Sequence, residues 1–310
     1  METSRLEHFR STRIYEGQLS LSEATEDLSY IEDLDTHAEK QTKKWTRIMI
    51  AVGVLGFFGV FGELLRQMGV NDQGATNFLT VGLLVWLYFV RRSHKKMDVV
   101  DRRYRLIHRT LKLLSSNINE NELLNLTLNL NNPERKETQL PETEEIRGWT
   151  VKFYEEEWAN VTGRFSDGTR FQFIAFEKFQ RRTKWKRSRS GKNKRKSKSK
   201  STSEFTINLK VKPSKYPHLE QLEKQGQRAV QLPVDLLLRR FQVKGNGLTL
   251  TTRTKAAWDI EDQRNPPSNV GNTNLGRKSF DAVEAVASMF LSLYQVLNFS
   301  RKIAKNRSVL

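Results

Sequence analysis

The densest chemical signal in the chain is the stretch from Arg181 to Lys200. It carries twelve basic side chains and no acid: Arg181, Arg182, Lys184, Lys186, Arg187, Arg189, Lys192, Lys194, Arg195, Lys196, Lys198 and Lys200. Ammonium and guanidinium groups at this density bind carboxylates and phosphates by charge-assisted hydrogen bonds. Three fates compete for such a stretch. On an anionic bilayer each base contributes about 1 kcal/mol. On nucleic acid the phosphates give steep salt dependence, but Trp185 is the sole aromatic inside the run, so base stacking has thin support. The third fate is a solvated loop with no fixed partner. Ser188, Ser190, Ser197, Ser199 and Ser201 are phosphorylatable, which would weaken anion binding.

Catalytic constellations do not emerge. The chain has no cysteine, which removes disulfides, thiolate metal sites and thiol nucleophiles. His8, His37, His94, His108 and His218 are scattered without metal-ligand spacing. Gly271-Asn-Thr-Asn-Leu-Gly276-Arg-Lys-Ser279 resembles a phosphate loop, but Arg277 separates the glycine from Lys278 and no strand precedes it, so it reads as a loop and a helix cap. Glu155-Glu156-Glu157 reads as a solvated edge or a bulge. The expectation is a protein that is not an enzyme, with no catalytic, cofactor or metal site. Net charge of +18 and a pI near 10 favour acidic partners: anionic lipid, nucleic acid or acidic protein.

The elements that would carry the basic run begin with two apolar stretches, residues 45–65 and 75–90. Their charge-free cores would span roughly 22–28 Å as helices, close to a hydrocarbon layer of about 30 Å. Lys40, Lys43, Lys44 and Arg47 precede the first; Arg91, Arg92, Lys95 and Lys96 follow the second; the loop between them carries only Arg66. By the positive-inside rule this reads as a transmembrane hairpin (45–90) in a bacterial-type inner or plasma membrane, with both termini cytoplasmic. Gly53, Gly56, Gly59 and Gly62 recur every third residue and suit close helix packing, against the second span or between subunits of a homo-oligomer.

Residues 1–44 form an acidic region whose part 20–44 reads as a helix. Ser20 and Glu23 have capping-box spacing, and Leu21, Ala24, Leu28, Ile31 and Ala38 make an apolar stripe. Residues 91–130 form a basic arm with a matching stripe at Met97, Val100, Tyr104, Ile107, Leu111 and Leu114. Acids on the first arm (Glu23, Glu26, Asp27, Glu32, Asp33, Asp35) face bases on the second (Arg102, Arg103, Arg105, Arg109, Lys112). The pattern predicts that the hairpin continues as an antiparallel two-helix stalk.

Residues 131–147 read as a linker. From 148 to 310 alternating aromatics, the Asp167-Gly168 turn and paired runs around 178–187 and 204–211 predict an antiparallel sheet covered by helices. Pro233 is expected to open a short helix to Phe241, and Ser279 to cap a last helix to about Phe299. The later half of the basic run, rich in Ser, Lys and Gly, is expected to project as a mobile loop, 181–200. The fold class is therefore α+β: a transmembrane helical hairpin with an antiparallel stalk, plus a C-terminal antiparallel-sheet domain.

Gly168-Thr-Arg-Phe, the Arg181-Arg-Thr-Lys run and the Phe205-Thr-Ile strand resemble bacterial two-span membrane proteins with a cytosolic mixed domain. The resemblance implies that architecture and no particular activity. The expected function is a membrane-anchored, non-enzymatic adaptor whose basic loop engages anionic lipid or an acidic partner. The alternatives are an oligomeric two-span channel or transporter accessory subunit, and a membrane tether for nucleic acid or the ribosome.

Overall fold

Apolar residues alternate with polar ones along the core segments of the strands between 123 and 254, and that period of two is what builds the central sheet. The computed structural model describes residues 2–57, 82–90, 92, 99–189, 191–255, 258–260 and 280–307. They fall into two units, residues 1–28 with 100–310, and residues 29–99.

In the first unit, helix α1 (Glu2–Thr12) leads into β1 (Ile14–Ser20) and the start of α2 (Leu21–Phe57). After α3 (Asp101–Leu114) come β2 (Leu123–Asn129), β3 (Gln139–Ile146), β4 (Trp149–Arg164), β5 (Arg170–Arg187) and β6 (Asn193–Lys210). The short α4 (Glu223–Ala229) precedes β7 (Leu236–Lys244) and β8 (Gly247–Thr254). The two-residue strands β9 (Trp258–Asp259) and β10 (Phe280–Asp281) pair in parallel before α5 (Ala282–Arg307). Seven strands form an antiparallel sheet in the order β1-β2-β4-β5-β6-β8-β7, and β3 adds an eighth beside β4.

One face of this sheet holds the core. Leu124, Leu126 and Leu128 on β2, Phe171, Phe173 and Ala175 on β5, Phe205, Ile207 and Leu209 on β6, and Leu248 and Leu250 on β8 are all buried. Helix α5 lies against them: Phe290 packs edge-on to Phe165 and Phe171, and the Thr252 hydroxyl donates to Met289 Sδ at 3.2 Å. Tyr104, Leu106, Ile107 and Leu111 of α3 are also buried. The Asp167-Gly168 turn forms as expected, with Gly168 at φ +87° and the Thr169 N–H donating to Asp167 Oδ1. The Ser20–Glu23 capping box is also present: Ser20 N–H donates to Glu23 Oε2 at 2.8 Å, and Glu23 N–H to Ser20 Oγ at 3.3 Å. The helix expected after Pro233 is instead strand β7. Phe241 and Val243 point to the core with Gln242 between them, which is a strand's parity and not a helix's.

The expected fold class needs correction. The architecture is α+β around an eight-stranded antiparallel sheet, not a two-span helical hairpin carried on a stalk. Among the described residues a single helical stretch, Ala282–Ile303 of α5, is long and apolar enough to cross a membrane, and more than half of it is buried within the protein. The reason lies in what an apolar stripe reports: that one face of a helix is covered, not by what. Ala24, Leu28, Tyr104, Ile107 and Leu111 are buried in the α+β unit. Arg102 and Arg103, expected to face acids of the first arm, pair instead with Glu156 and Glu177 of the sheet.

In the second unit, Trp45 of α2 meets Trp86 of the helical segment 82–90 edge-to-face at 6.1 Å, and the Val99 N–H donates to Asp35 Oδ1. Residues 58–81, which hold the remainder of both apolar stretches, lie outside the described residues.

Candidate functional site

The basic run is a paired ribbon, not a loop. β5 and β6 keep an unbroken antiparallel register from Arg170↔Lys210 out to Arg187↔Asn193. The pairing of β4 with β5 ends at Thr150↔Thr183, and that of β8 with β6 at Glu204↔Arg253. Beyond Thr183 the ribbon is therefore two strands wide, with β6 as a long edge. A tight turn closes it: Ser188 N–H donates to the Lys192 carbonyl, and Gly191 sits at φ +77°. Low complexity suggested disorder, but Lys-Ser-Lys-Ser is also a strict two-residue alternation, which a ladder accommodates.

That alternation sorts the charge by face. Phe171, Phe173, Ala175, Phe205 and Ile207 fix the odd positions of both strands on the core side. The even positions, Arg182, Lys184, Lys186, Lys194, Lys196, Lys198 and Lys200, consequently share the outer face. They stand directly opposite one another as Arg182↔Lys198, Lys184↔Lys196 and Lys186↔Lys194. Like charges at directly opposed positions destabilise a sheet, and among the described residues none of these seven has an acidic partner at ion-pair distance. Arg181, Arg187 and Arg195 take the other face with Thr183, Ser197, Ser199 and Trp185, the last 69% exposed. Arg189 and Lys192 flank Gly191 in the turn.

Side-chain contacts tie the root of the ribbon to the neighbouring strands. Lys198 Nζ lies 5.8 Å from the Trp149 ring centroid, and Lys184 Nζ donates to the Arg147 carbonyl at 3.0 Å. Arg181 pairs with Glu134. Deeper, fully buried Arg103 donates to Glu156 Oε2 (3.0 Å), Glu177 Oε2 (2.8 Å) and the carbonyls of Asn129 and Asn131. Arg102 holds the other Glu177 oxygen at 2.6 Å, and Arg135 the other Glu156 oxygen. Trp158 and Trp258 stack on each other and lie under Arg103 and Arg102, respectively. Burying these carboxylates is tolerated because each oxygen faces a guanidinium.

Other residues singled out in the sequence fall elsewhere. Of Glu155-Glu156-Glu157, Glu155 pairs with Lys178, Glu156 joins the buried network, and Glu157 accepts from Asn160 beside a bulge in β4. Gly53 is in α2, with open space for 4 Å around the position a Cβ would take, and Gly56 is in the same helix. Gly59, Gly62 and the phosphate-loop-like segment 271–279 lie outside the described residues. Sequence reasoning missed Trp149 and the Arg103 network. One signal was legible: Glu177 shares the core parity of Phe171, Phe173 and Ala175.

No protein-family model matches the chain, and neither the curated proteins nor the solved structures contain a significant match.

Proposed function

We propose that this is a membrane-attached, non-enzymatic interaction protein whose basic ribbon engages an anionic surface, anionic lipid foremost. The observation that carries the reading is the one-sided ladder of seven cations with no acid among them. Its opposed lysines repel until an anion lies across them, so binding relieves a cost already built into the fold. At about 1 kcal/mol per base near an anionic leaflet, four of the seven supply about 4 kcal/mol, close to a thousandfold in occupancy.

Attachment is supported by the second unit. Ile50, Trp86 and Phe89 are each more than half exposed, and large apolar side chains seldom stand so exposed together. Lys40, Lys43, Lys44 and Arg47, with Ile48, share one face of α2 along an open recess of about 400 Å³, a cationic surface suited to anionic headgroups. A second reading, a nucleic-acid arm, is favoured by the two-strand width of the ribbon, which the DNA major groove admits.

The absence of cysteine allows a clean test. The full chain with Ser188→Cys carries an environment-sensitive fluorophore at the ribbon tip. On vesicles with anionic lipid the probe is expected to shift, and raised salt to reverse the shift. Replacing Lys194, Lys196, Lys198 and Lys200 with serine is expected to abolish it. Equal responses on neutral and anionic vesicles would overturn the lipid assignment; a response to duplex DNA alone would install the second reading. A chain that stays in solution without detergent and does not float with vesicles would overturn membrane attachment.

A further inference from the structure

The outer face of the main sheet, away from the ribbon tip, carries a second pattern that only the register exposes. Gln18, Asn125, Thr162, Gln172, Asn208, Thr249 and Gln242 are direct cross-strand neighbours, one from each of the seven strands from β1 to β7. Every member is a carboxamide or a hydroxyl, and none is charged. One step of two residues along the strands, about 6.8 Å away, runs a parallel row of cations: Arg164↔Arg170↔Lys210, then Lys244 across Gly247. The cation row and the five inner members of the polar row, Asn125, Thr162, Gln172, Asn208 and Thr249, line an open groove of about 670 Å³, with the carboxylate of Glu122 at the Arg164 end.

Both rows have capacity to spare. Asn125 Nδ2 donates to Thr162 Oγ1 (3.3 Å), Asn208 Nδ2 to Gln172 Oε1 (3.1 Å), Gln172 Nε2 to Asn160 Oδ1 (3.1 Å), and the Thr249 hydroxyl to Asn208 Oδ1 (2.8 Å). These bonds orient the amides, yet each NH₂ group has two donors and uses one. In the cation row Arg164 reaches Glu122 at 3.7 Å, while Arg170, Lys210 and Lys244 have no ion-pair partner among the described residues. Adjacent like charges on three successive strands again favour a bound anion.

We propose that this groove binds an acidic oligosaccharide, its hydroxyls on the amide row and its carboxylates or phosphates on Arg164, Arg170 and Lys210. Carboxamides offer a donor beside an acceptor, the pairing that a sugar hydroxyl, itself donor and acceptor, completes. The parallel rows fit a linear ligand with a neutral edge and an anionic edge. Single-stranded nucleic acid fits less well, because no aromatic ring stands in either row to stack a base.

The test uses the full chain and names its probes: a galacturonate hexasaccharide, the neutral maltohexaose, a twelve-residue poly(U) and pyrophosphate. Calorimetry is expected to show galacturonate binding at least about tenfold tighter than maltohexaose, the worth of one charged hydrogen bond. Arg170→Gln with Lys210→Gln should erase that preference. Gln172→Ala with Asn208→Ala should weaken galacturonate at least about tenfold and leave pyrophosphate unchanged. Hydrogen exchange on the unaltered chain should show protection in β4, β5, β6 and β8, which needs no variant to fold. The proposal fails if galacturonate does not bind, if poly(U) binds and galacturonate does not, or if protection maps elsewhere. The serine-substituted ribbon should bind galacturonate normally, so failure here and failure of the ribbon's lipid role are separate results.

Discussion

Replacing Arg103 with methionine removes the guanidinium at the centre of the buried network while keeping most of the side-chain volume. Two of its bonds go to carbonyls and two to carboxylates, and neither Arg103 nor Glu177 has side-chain exposure. Breaking a buried ion pair from one side typically costs about 3–5 kcal/mol, because the remaining charge stays desolvated. Here Arg102 still holds Glu177 and Arg135 still holds Glu156, so the lower end, about 3 kcal/mol, is expected. That is a large share of a typical domain's stability of about 5–15 kcal/mol. Urea denaturation followed by tryptophan fluorescence measures it, since Trp158 and Trp258 lie against Arg103 and Arg102. Glu177→Gln in the same background should recover part of the loss, with a coupling of about 2 kcal/mol in the double-mutant cycle. Arg103→Lys should not rescue, because an ammonium cannot span four acceptors as a planar fork does. A cost below about 1 kcal/mol, or strictly additive variants, would refute the view of this network as the root of the ribbon.

Three further outcomes are expected. Gly163→Ala puts a Cβ 2.4 Å from Leu124 Cδ2 and 2.9 Å from the Phe171 ring, so thermal denaturation should report a loss of about 1–3 kcal/mol; an unchanged midpoint would contradict the packing. Burial pushes the Asp167 carboxyl up, but bonds from the Thr169 N–H and hydroxyl and the Tyr216 hydroxyl, with the charge of Lys215, outweigh it and hold the group below the ordinary carboxylate range. Its stabilisation is thus complete above the unfolded value of about 3.9 and is lost as pH falls through the lower folded value; acid titration of Asp167→Asn should lack that increment, and identical acid limbs would refute the assignment. Exchanging Lys196 with Ser197 and Lys198 with Ser199 keeps composition constant but moves two cations to the other face, and should weaken the fluorophore shift on anionic vesicles; an unaltered shift would mean that net charge alone matters.

Much of the sheet is legible in the chain itself. Alternation at Phe171, Phe173, Phe205 and Ile207, the Asp167-Gly168 turn and the Ser20–Glu23 box are local signals, because side-chain parity and capping depend on neighbours within a few residues. The twelve bases of the candidate site are legible for the same reason. β7 is not, because Pro233 and a run of leucines satisfy a helix start as well as a strand, and only pairing with β8 chooses between them.

What the sequence determined by itself was composition and local periodicity: a strongly cationic chain, strands where apolar residues alternate, and helices whose stripes had to be covered. Tertiary structure decided what covers them. Ala24, Leu28, Tyr104, Ile107 and Leu111 of the stripes that suggest a stalk are buried in the α+β unit, and arginines whose charge matched one helix found carboxylates on β4 and β5. It also decided which cations face one another and which amides form a row, since cross-strand neighbours can lie more than a hundred residues apart along the chain, as Gln18 and Asn125 do. Parity is set within a strand; partnership is set by register, and register is a property of the assembled sheet.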